Sequence, residues 1–255
     1  MNKSILNEIK KKREFSELPD IDIELAYNHF EKRQASDEEK IKLTRELLRK
    51  IFSAFVSKKL LSLKNKDEEW ILRKHASTRE RLPYYTELYR KIFSGYKKAS
   101  IIDLGAGING FSYGFFKKSG INADYTAIES VGQLADLMNF YFKKEKLNGT
   151  AIHLSLFEKE KVLDIISHEK SPRIVLLFKI IDALESLKRD YSKELILDVG
   201  KIAERLVLSF PTKSLGSREK FHARRNWIVD FLGNNFKILD DFEINGERYI
   251  VFEKR

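Results

Sequence analysis

Three glycines follow a short run of apolar, mostly β-branched residues in the segment "IIDLGAGING", where Gly105, Gly107 and Gly110 form a G-x-G-x-x-G pattern. Such a pattern lets bare backbone approach the polar groups of a nucleotide, because side chains would block the approach or the required backbone angles. Two acids accompany it, Asp103 before the turn and Glu129 further along the chain. A carboxylate in the second position can accept hydrogen bonds from both ribose hydroxyls. The pattern predicts a nucleotide-containing ligand, and it fits a dehydrogenase as well as a methyltransferase.

The elements that must position these residues belong to an α/β fold. From residue 100 onward, short apolar runs alternate with helical stretches, which is typical of a parallel sheet with crossover helices. The five predicted strands cover residues 100–105, 124–129, 150–155, 173–178 and 205–210. The chain ends in two alternating segments around Asn245-Gly246, a hairpin signal that adds an antiparallel strand. This ending favours, by analogy, the class I (Rossmann-like) S-adenosylmethionine-dependent methyltransferase sheet over a dehydrogenase, which commonly continues with further βαβ units.

The N-terminal part has a different character. Residues 1–98 are helical in pattern, and the clearest helix begins at Ser36, which forms an S-x-x-E capping box with Glu39. This segment holds 24 Lys and Arg against 16 Asp and Glu, a net charge of +8, whereas residues 99–255 hold 24 against 22, a net charge of +2. Such an asymmetry suits a polyanion. We interpret residues 1–98 as a basic RNA-binding domain and residues 99–255 as the methyltransferase domain, the alternative being a lysine-rich surface without a specific partner.

The composition excludes several kinds of chemistry. The chain has no cysteine, which removes disulfides, thiolate zinc sites and a cysteine nucleophile. Its histidines lack ligand spacing, so we expect no metal. No run approaches the ~18 apolar residues that a membrane span requires, and the first residues have no apolar signal core. We therefore expect a soluble, cytoplasmic protein without membrane contact, and a monomer.

The segment "KHASTRERL" lies just before the sheet. Ser77 and Glu80 match a capping box, so the segment could be a helix start and nothing more. A cap does not need His75, Arg79 or Arg81, however. Together these side chains would suit an anion such as the methionine carboxylate.

Four segments of the chain follow one another in the order "HASTRERL", "IIDLGAGINGF", "LLFKIIDALE" and "VLSFPTKSLGSREK", with Trp227 downstream. In this order they resemble the 16S rRNA guanine-N7 methyltransferases of the ArmA and Rmt type, which confer aminoglycoside resistance. The resemblance runs from about residue 70 to the C-terminus. It implies S-adenosylmethionine as cofactor and 16S rRNA within the 30S subunit as partner. Family members usually read G-x-N-P where this chain has Asn109-Gly110, and L-K-x-L-P where it has the segment that begins at Lys179. These departures leave the target base open.

The resemblance assigns roles by position. Asp103 would hold the methionine end of the cofactor, unless it merely caps the following turn, and either Arg79 or Arg81 would meet the carboxylate. The full set that we predict to bind the cofactor is His75, Ser77, Arg79, Arg81, Asp103, Gly105, Ala106, Gly107, Asn109, Glu129, Ser155 and Leu156. The residues predicted to contact RNA, besides the N-terminal helices, are Lys213, Arg218, Lys220, Arg224 and Arg225.

Phe178 and Lys179, at the end of the fourth predicted strand, are the expected catalytic residues, which would stack on and hydrogen-bond to a flipped target base. Phe178 could also be simply the last core residue of its strand. Guanine N7 carries a lone pair and no proton, so a direct in-line transfer needs no general base, and positioning supplies most of the acceleration. Two alternatives stay open: a small-molecule methyltransferase whose helical region is a lid, and a non-catalytic ribosome- or RNA-binding protein on the same fold.

Overall fold

The computed structural model describes residues 1–53, 67–212 and 225–255. The described residues before the sheet are mainly helical, as predicted. The helices there are α1 (Lys3–Lys10), α2 (Asp20–Glu31), α3 (Asp37–Leu48), α4 (Glu68–Leu72), α5 (Ala76–Arg81) and α6 (Tyr85–Ile92). The predicted cap at Ser36 is confirmed, because its side chain accepts a hydrogen bond of 3.3 Å from the Glu39 N–H. The later part of the helix predicted from Ser36 lies outside the described residues.

A seven-stranded sheet forms the rest of the fold. Its strands are β1 (Lys98–Leu104), β2 (Asn122–Glu129), β3 (Gly149–His153), β4 (Arg173–Phe178), β5 (Arg205–Pro211), β6 (Phe236–Ile244) and β7 (Glu247–Lys254). The strand order is β3-β2-β1-β4-β5-β7-β6, with β1 to β5 parallel and β7 antiparallel to both β5 and β6. The predicted class I methyltransferase sheet and its C-terminal hairpin are thereby confirmed.

Helices cover both faces of the sheet. Those that follow the first strand are α7 (Tyr113–Lys118), α8 (Gly132–Lys144), α9 (Lys159–His168), α10 (Ile181–Leu187), α11 (Tyr191–Val199) and α12 (Asn226–Asn235). None of the helices in the described part of the chain is long and apolar enough to cross a membrane. The hairpin turn has Asn245 and Gly246 at φ +49° and +79°, the left-handed pair that the Asn-Gly signal predicts.

The N-terminal helices share a core with one face of the sheet. Ile9, Phe15 and Ile23 belong to the same contiguous buried cluster as Ile101 of β1 and Tyr125 of β2. A second cluster covers the opposite face. The division of the chain at residues 98 and 99 therefore remains an interpretation of the sequence.

The register of the central strands places their carboxyl ends together. Asp103 of β1 stands level with Ala127 of β2 and Leu176 of β4. In the strand order, β2 and β3 lie on one side of β1, whereas β4 and β5 lie on the other. Open α/β sheets bind ligands in the crevice that forms at such a switch point.

Candidate functional site

A pocket opens at this switch point. Most of the predicted site residues line it. They are His75, Ser77, Arg81, Asp103, Gly105, Ala106, Gly107, Asn109, Glu129, Leu156, Phe178 and Lys179. Residues of the N-terminal region, Asp22, Ile51 and Phe52 among them, also line the pocket. The helical region and the sheet therefore build the site jointly.

The glycine turn after β1 leaves backbone bare at two positions. Gly105 and Gly107 have φ of +67° and +58°, a conformation that residues with a side chain rarely adopt. A Cβ on Gly105 would lie 2.5 Å from Ile180 Cδ1 in the pocket wall, and a Cβ on Gly107 would lie 3.5 Å from His75 Nε2. Gly110 differs, because a Cβ there would lie 2.8 Å from Met138 in α8. The first two glycines shape the ligand cradle, and the third allows close helix packing.

Asp103 is held by a buried polar network. Its Oδ2 accepts hydrogen bonds of 2.7 Å from both Asn109 Nδ2 and the Tyr125 hydroxyl. Asn109 Oδ1 in turn accepts a bond of 2.7 Å from the Tyr85 hydroxyl of α6. Burial raises the pKa of Asp103, whereas the hydrogen bonds from Asn109 and Tyr125 lower it. The network orients this carboxylate and links it to the N-terminal helices.

Glu129 joins the end of β2 to the glycine turn. Its Oε2 accepts a hydrogen bond of 2.7 Å from the Gly107 N–H, and its Oε1 accepts one of 2.8 Å from the Val131 N–H. Burial raises the pKa of Glu129 to about 7, although both backbone hydrogen bonds lower it. Each carboxylate oxygen has a further lone pair. The side chain can therefore take additional donors from a ligand.

Arg81, Glu247 and Lys179 form an ion network on the β4 side of the pocket. The Arg81 guanidinium, only 5% exposed, makes a bidentate pair with Glu247 at 2.8 and 3.0 Å. Lys179 Nζ lies 3.2 Å from Glu247 Oε2 and 2.7 Å from Glu80 Oε2. Burial raises the pKa of Glu247, but the positive charges of Arg81 and Lys179 outweigh it and hold that pKa below its usual value. The arrangement fixes two cations at the wall of the pocket.

Lys179 reaches this network through an unusual backbone conformation. Its φ is +56°, in the left-handed region. The Lys179 N–H donates to the Ser209 carbonyl oxygen of β5 at 3.0 Å, and the Ser209 hydroxyl bonds to Glu247. Phe178 before it is buried, with the Arg81 guanidinium 4.7 Å from its ring centroid and the Tyr249 ring edge-on at 5.7 Å. Phe178 is therefore a core residue and a pocket residue at once.

His75 lies in the pocket as a neutral group. Burial, together with the positive charges of Arg81 and Lys179, lowers the pKa of His75 to about 3. Near pH 7 the imidazole therefore adds no positive charge for an anion, contrary to what the grouping of His75 with the arginines suggests. The alternative of a capping box at Ser77 and Glu80 is wrong, because the N-cap of α5 is His75, two residues before Ser77, and the helix begins at Ala76.

Two predicted cofactor residues lie outside the pocket lining. Arg79 is exposed on α5, whereas Arg81 on the same helix lines the pocket. Ser155 is fully buried, and its hydroxyl donates a hydrogen bond of 2.6 Å to Asp22 Oδ1 of α2. Its contact with the pocket is therefore indirect, through Asp22.

The predicted RNA contacts are only partly within the described residues. Lys213, Arg218, Lys220 and Arg224 lie outside them. Arg225 is 8% exposed, pairs with Asp182 and donates a hydrogen bond of 2.8 Å to the Pro211 carbonyl oxygen. A buried guanidinium with these partners is not a surface cation, so this geometry does not support a direct phosphate contact by Arg225.

Sequence reasoning missed two functional residues, Asp22 and Glu247. Glu247 is an acid in a strand that is otherwise mostly buried and apolar, directly after the Asn-Gly turn, and Asp22 is a polar position within the first turn of α2. With Asp22 included, the pocket lining carries three carboxylates, Asp22, Asp103 and Glu129, against the two cations Arg81 and Lys179. This balance favours a ligand that bears positive charge. Within the described ranges no three His, Asp or Glu side chains are grouped to hold a metal ion.

Comparisons with known proteins agree with this geometry. A family model described as "Ribosomal RNA methyltransferase (FmrO)" matches residues 38–228. Among solved structures, the 16S rRNA methyltransferase RmtF in complex with S-adenosyl-L-homocysteine is 22% identical, covers 100% of both chains and has a TM-score of 0.81. The 16S rRNA methylase RmtB is 21% identical, with 99% of this chain and 98% of that chain covered and a TM-score of 0.77. An rRNA methylase from Escherichia coli is 20% identical, with 99% of both chains covered and a TM-score of 0.78. A search among curated proteins finds no match.

Proposed function

This chain belongs to the FmrO family of S-adenosylmethionine-dependent ribosomal RNA methyltransferases, and on that premise we propose that it methylates N7 of a guanine in 16S rRNA within the 30S subunit. The observation that carries the proposal is the pocket at the switch point. It combines a bare glycine cradle, a carboxylate fit for a ribose and a fixed pair of cations. The structural similarity to 16S rRNA methylases supports the choice of RNA.

The residues present fit the cofactor. Gly105 and Gly107 keep side chains away from the place where a nucleoside must approach the backbone. Glu129 offers its remaining lone pairs to the ribose hydroxyls, as the acid after the second strand does in dinucleotide-binding folds. When bound, S-adenosylmethionine supplies an electrophilic methyl group on a sulfonium centre, and the excess of lining carboxylates stabilises that positive charge.

The methionine end is assigned to the other half of the pocket. Asp103 is the carboxylate for the ammonium group, and Arg81 is the guanidinium for the carboxylate group. Burial in the pocket favours Arg81 over the exposed Arg79 for that role. Ser77 and Ala106 line the same pocket.

The target base is assigned to the mouth of β4. Phe178 would contact its ring, and Lys179 would place an ammonium group near its polar edge. Guanine N7 has a lone pair and no proton, so the chain needs no general base and acts by holding the two reactants in line. The base must leave its stack at a cost of a few kcal/mol. Phosphate contacts from the basic region 1–98 and from the segment that includes Lys213, Arg218, Lys220 and Arg224 would offset that cost.

The test is methyl transfer to intact 30S subunits, since structured rRNA is the proposed substrate. The protein is incubated with methyl-labelled S-adenosylmethionine and 30S subunits, and the modified nucleotide is mapped by mass spectrometry. Label at N7 of one guanine of 16S rRNA is the expected result. Label at another atom overturns the N7 assignment, and label only in a small molecule overturns the RNA substrate.

A matched pair of variants separates catalysis from binding. Asp103→Ala removes a buried pocket carboxylate, whereas Asp136→Ala removes an exposed acid on α8. We expect the first variant to lose methyl transfer and to keep its affinity for 30S subunits, and the second to resemble the wild type. Binding to 30S subunits without any methylation by the wild type would instead favour the non-catalytic RNA-binding alternative. The cytoplasmic location and monomeric state remain predictions from the sequence.

A further inference from the structure

Asp22 is a buried acid that the N-terminal region contributes to the pocket. It lies in the first turn of α2, is 1% exposed and lines the pocket wall. Its Oδ1 accepts the hydrogen bond from Ser155. Its Oδ2 is buried and accepts no hydrogen bond of normal geometry from the described residues. One carboxylate oxygen is thus satisfied within the protein. The other belongs to a side chain that lines the pocket, and the Ser130 hydroxyl near it makes no hydrogen bond of normal geometry to it.

Such a group is costly to the free protein. Burial raises the pKa of Asp22 to about 6, although the hydroxyls of Ser155 and Ser130 lower it. Buried polar atoms in folded proteins are nearly always hydrogen-bonded, and an exception calls for an explanation. An acceptor oxygen at a pocket wall is explained by a ligand that brings a donor.

The position of Asp22 indicates which part of the ligand that is. Asp103 lies at the end of β1 and Glu129 at the end of β2, the neighbouring strand. The partner of Asp22, Ser155, follows β3, which is one strand further out. The line from Asp103 through Glu129 to Ser155 therefore runs from the methionine end past the ribose toward the base of the nucleoside.

The same end of the pocket has apolar walls. Leu134 of α8 and Leu156 and Phe157 after β3 line it with apolar surface. A purine between such walls gains from burial of its faces, and its polar edge needs partners at the rim. A carboxylate oxygen can accept a hydrogen bond from an amino group and can donate none while it is ionised.

We propose that Asp22 Oδ2 accepts a hydrogen bond from the exocyclic amino group of the cofactor's adenine ring, so that helix α2 selects the base. Ser155 is the positioning residue that orients this carboxylate. The inference rests on the proposed cofactor. It gives the N-terminal region a role in cofactor recognition as well as in RNA contact.

The experiment is a calorimetric titration with S-adenosylhomocysteine and with its 6-deamino purine analogue, which lacks only the amino group. Wild-type protein is compared with Asp22→Ala and with Asp20→Ala, an exposed acid in the same helical turn. We expect the wild type and Asp20→Ala to bind the adenine compound roughly 10- to 100-fold more tightly than the deamino analogue, as a hydrogen bond to a charged group implies. Asp22→Ala should bind the two compounds about equally.

Each other outcome is decisive. If Asp22→Ala keeps the full preference for the amino compound, the inference fails while the proposed cofactor stands. A third titration uses the 2′-deoxy form of S-adenosylhomocysteine. If Asp22→Ala abolishes the preference for the ribose compound over this 2′-deoxy form, Asp22 contacts the sugar and the assignment to the amino group is overturned. If the wild type binds neither compound, the proposed function fails with it.

Folding is checked on the same samples. Asp22→Ala removes a half-satisfied carboxylate but also takes the acceptor from the buried Ser155 hydroxyl, so its melting temperature without ligand should fall by no more than a few degrees. The rise on adding S-adenosylhomocysteine should be smaller than for Asp20→Ala. If Asp22→Ala does not fold, Asp22→Leu gives the same comparison, because Leu keeps about the size of the side chain and has no acceptor atom. A preference for the amino compound that is undiminished in Asp22→Leu would then overturn the inference.

Discussion

The two ends of the pocket handle their charged groups differently. On the β4 side, Arg81 and Lys179 are neutralised by Glu247, which reaches them from the C-terminal hairpin. On the β2 and β3 side, Glu129 accepts hydrogen bonds from backbone N–H groups and Asp22 accepts one from a serine hydroxyl, and neither forms an ion pair with a Lys or Arg of the described residues. The positive charges of the first end are paired before a ligand arrives, whereas the second end keeps acceptors that a ligand can use.

This difference separates preorganisation from recognition. A buried ion network holds its members in place before the ligand arrives, but removal of one member leaves an uncompensated charge. A buried acceptor with few hydrogen-bond donors destabilises the free protein, and a ligand that supplies a donor completes the hydrogen bond on binding. Substitutions on the β4 side should therefore act first on folding, and those on the β2 and β3 side should act first on affinity.

The largest effect is expected from Glu247→Ala. It leaves Arg81 buried without its bidentate partner, and breaking a buried pair in this way typically costs about 3–5 kcal/mol. The free energy of unfolding, measured by denaturant titration, should fall by that amount.

Glu243→Ala is the matched control, because it removes an exposed glutamate from the neighbouring strand of the same hairpin. It should change stability by no more than about 0.5 kcal/mol. A Glu247→Ala variant as stable as this control would mean that the ion network does not hold the β4 end together.

A second test concerns the glycine turn between the two ends. Gly105→Ala adds a Cβ at φ +67° that would lie 2.5 Å from Ile180, so both backbone strain and a clash oppose it. Gly120→Ala adds one at φ +83° with nothing within 4 Å, and so measures backbone strain alone, about 1–2 kcal/mol. We expect Gly105→Ala to be the less stable by thermal unfolding and also to lose affinity for S-adenosylhomocysteine, which Gly120→Ala should keep. Equal effects of the two variants would show that Ile180 moves aside without cost.

Much of the fold was predictable, because its signals are local. Apolar runs marked β1 to β5 within about two residues, and Asn245-Gly246 marked the hairpin. The glycines and the acids at strand ends were also predictable, since parallel strands bring their carboxyl ends to one edge. These residues occupy the pocket because backbone geometry alone carries them there.

Residues that reach the pocket from distant parts of the chain were not predictable. Glu247 meets Arg81 across 166 positions, and Asp22 meets Ser155 across 133. No local period or spacing encodes such a pair. The choice between Arg79 and Arg81 was open for a related reason, since Arg81 is identified as the buried one by its pairing with the distant Glu247 of β7. Burial also explains why His75 is neutral and why Arg225 is not a surface cation, both of which differ from the prediction.

A third test is the pH dependence at the β2 end. The pKa of Glu129 is about 7 in the folded protein and 4.5 without its surroundings. In the protein without ligand, the contribution of Glu129 to stability is therefore full below pH 4.5 and is lost as the pH rises through 7. Ribose hydroxyls donate hydrogen bonds to the ionised form, so binding should improve over the same range. Affinity for S-adenosylhomocysteine should rise roughly tenfold from pH 6 to pH 8.

Glu129→Gln is the control for this titration. It has no carboxylate at that position, so calorimetry should show weaker binding and a smaller change with pH, the remainder reflecting Asp22 and its pKa of about 6. A profile as steep as that of the wild type would assign the titration to another group.

The smallest effect is expected from Arg79→Ala. Arg79 and Arg81 share helix α5, but Arg79 is exposed and Arg81 is buried in the β4 end of the pocket. Loss of an exposed side chain away from the site changes stability by about 0.5 kcal/mol or less. Because Arg79 does not line the pocket, calorimetry should also find an affinity for S-adenosylhomocysteine within about twofold of the wild type. Arg81→Ala removes the same kind of side chain two positions later. It leaves Glu247 buried without its partner, so it should lower stability and also abolish measurable binding by the protein that remains folded. A larger loss for Arg79→Ala than for Arg81→Ala would move the methionine carboxylate out of the β4 end, and the contrast between the two ends would fail.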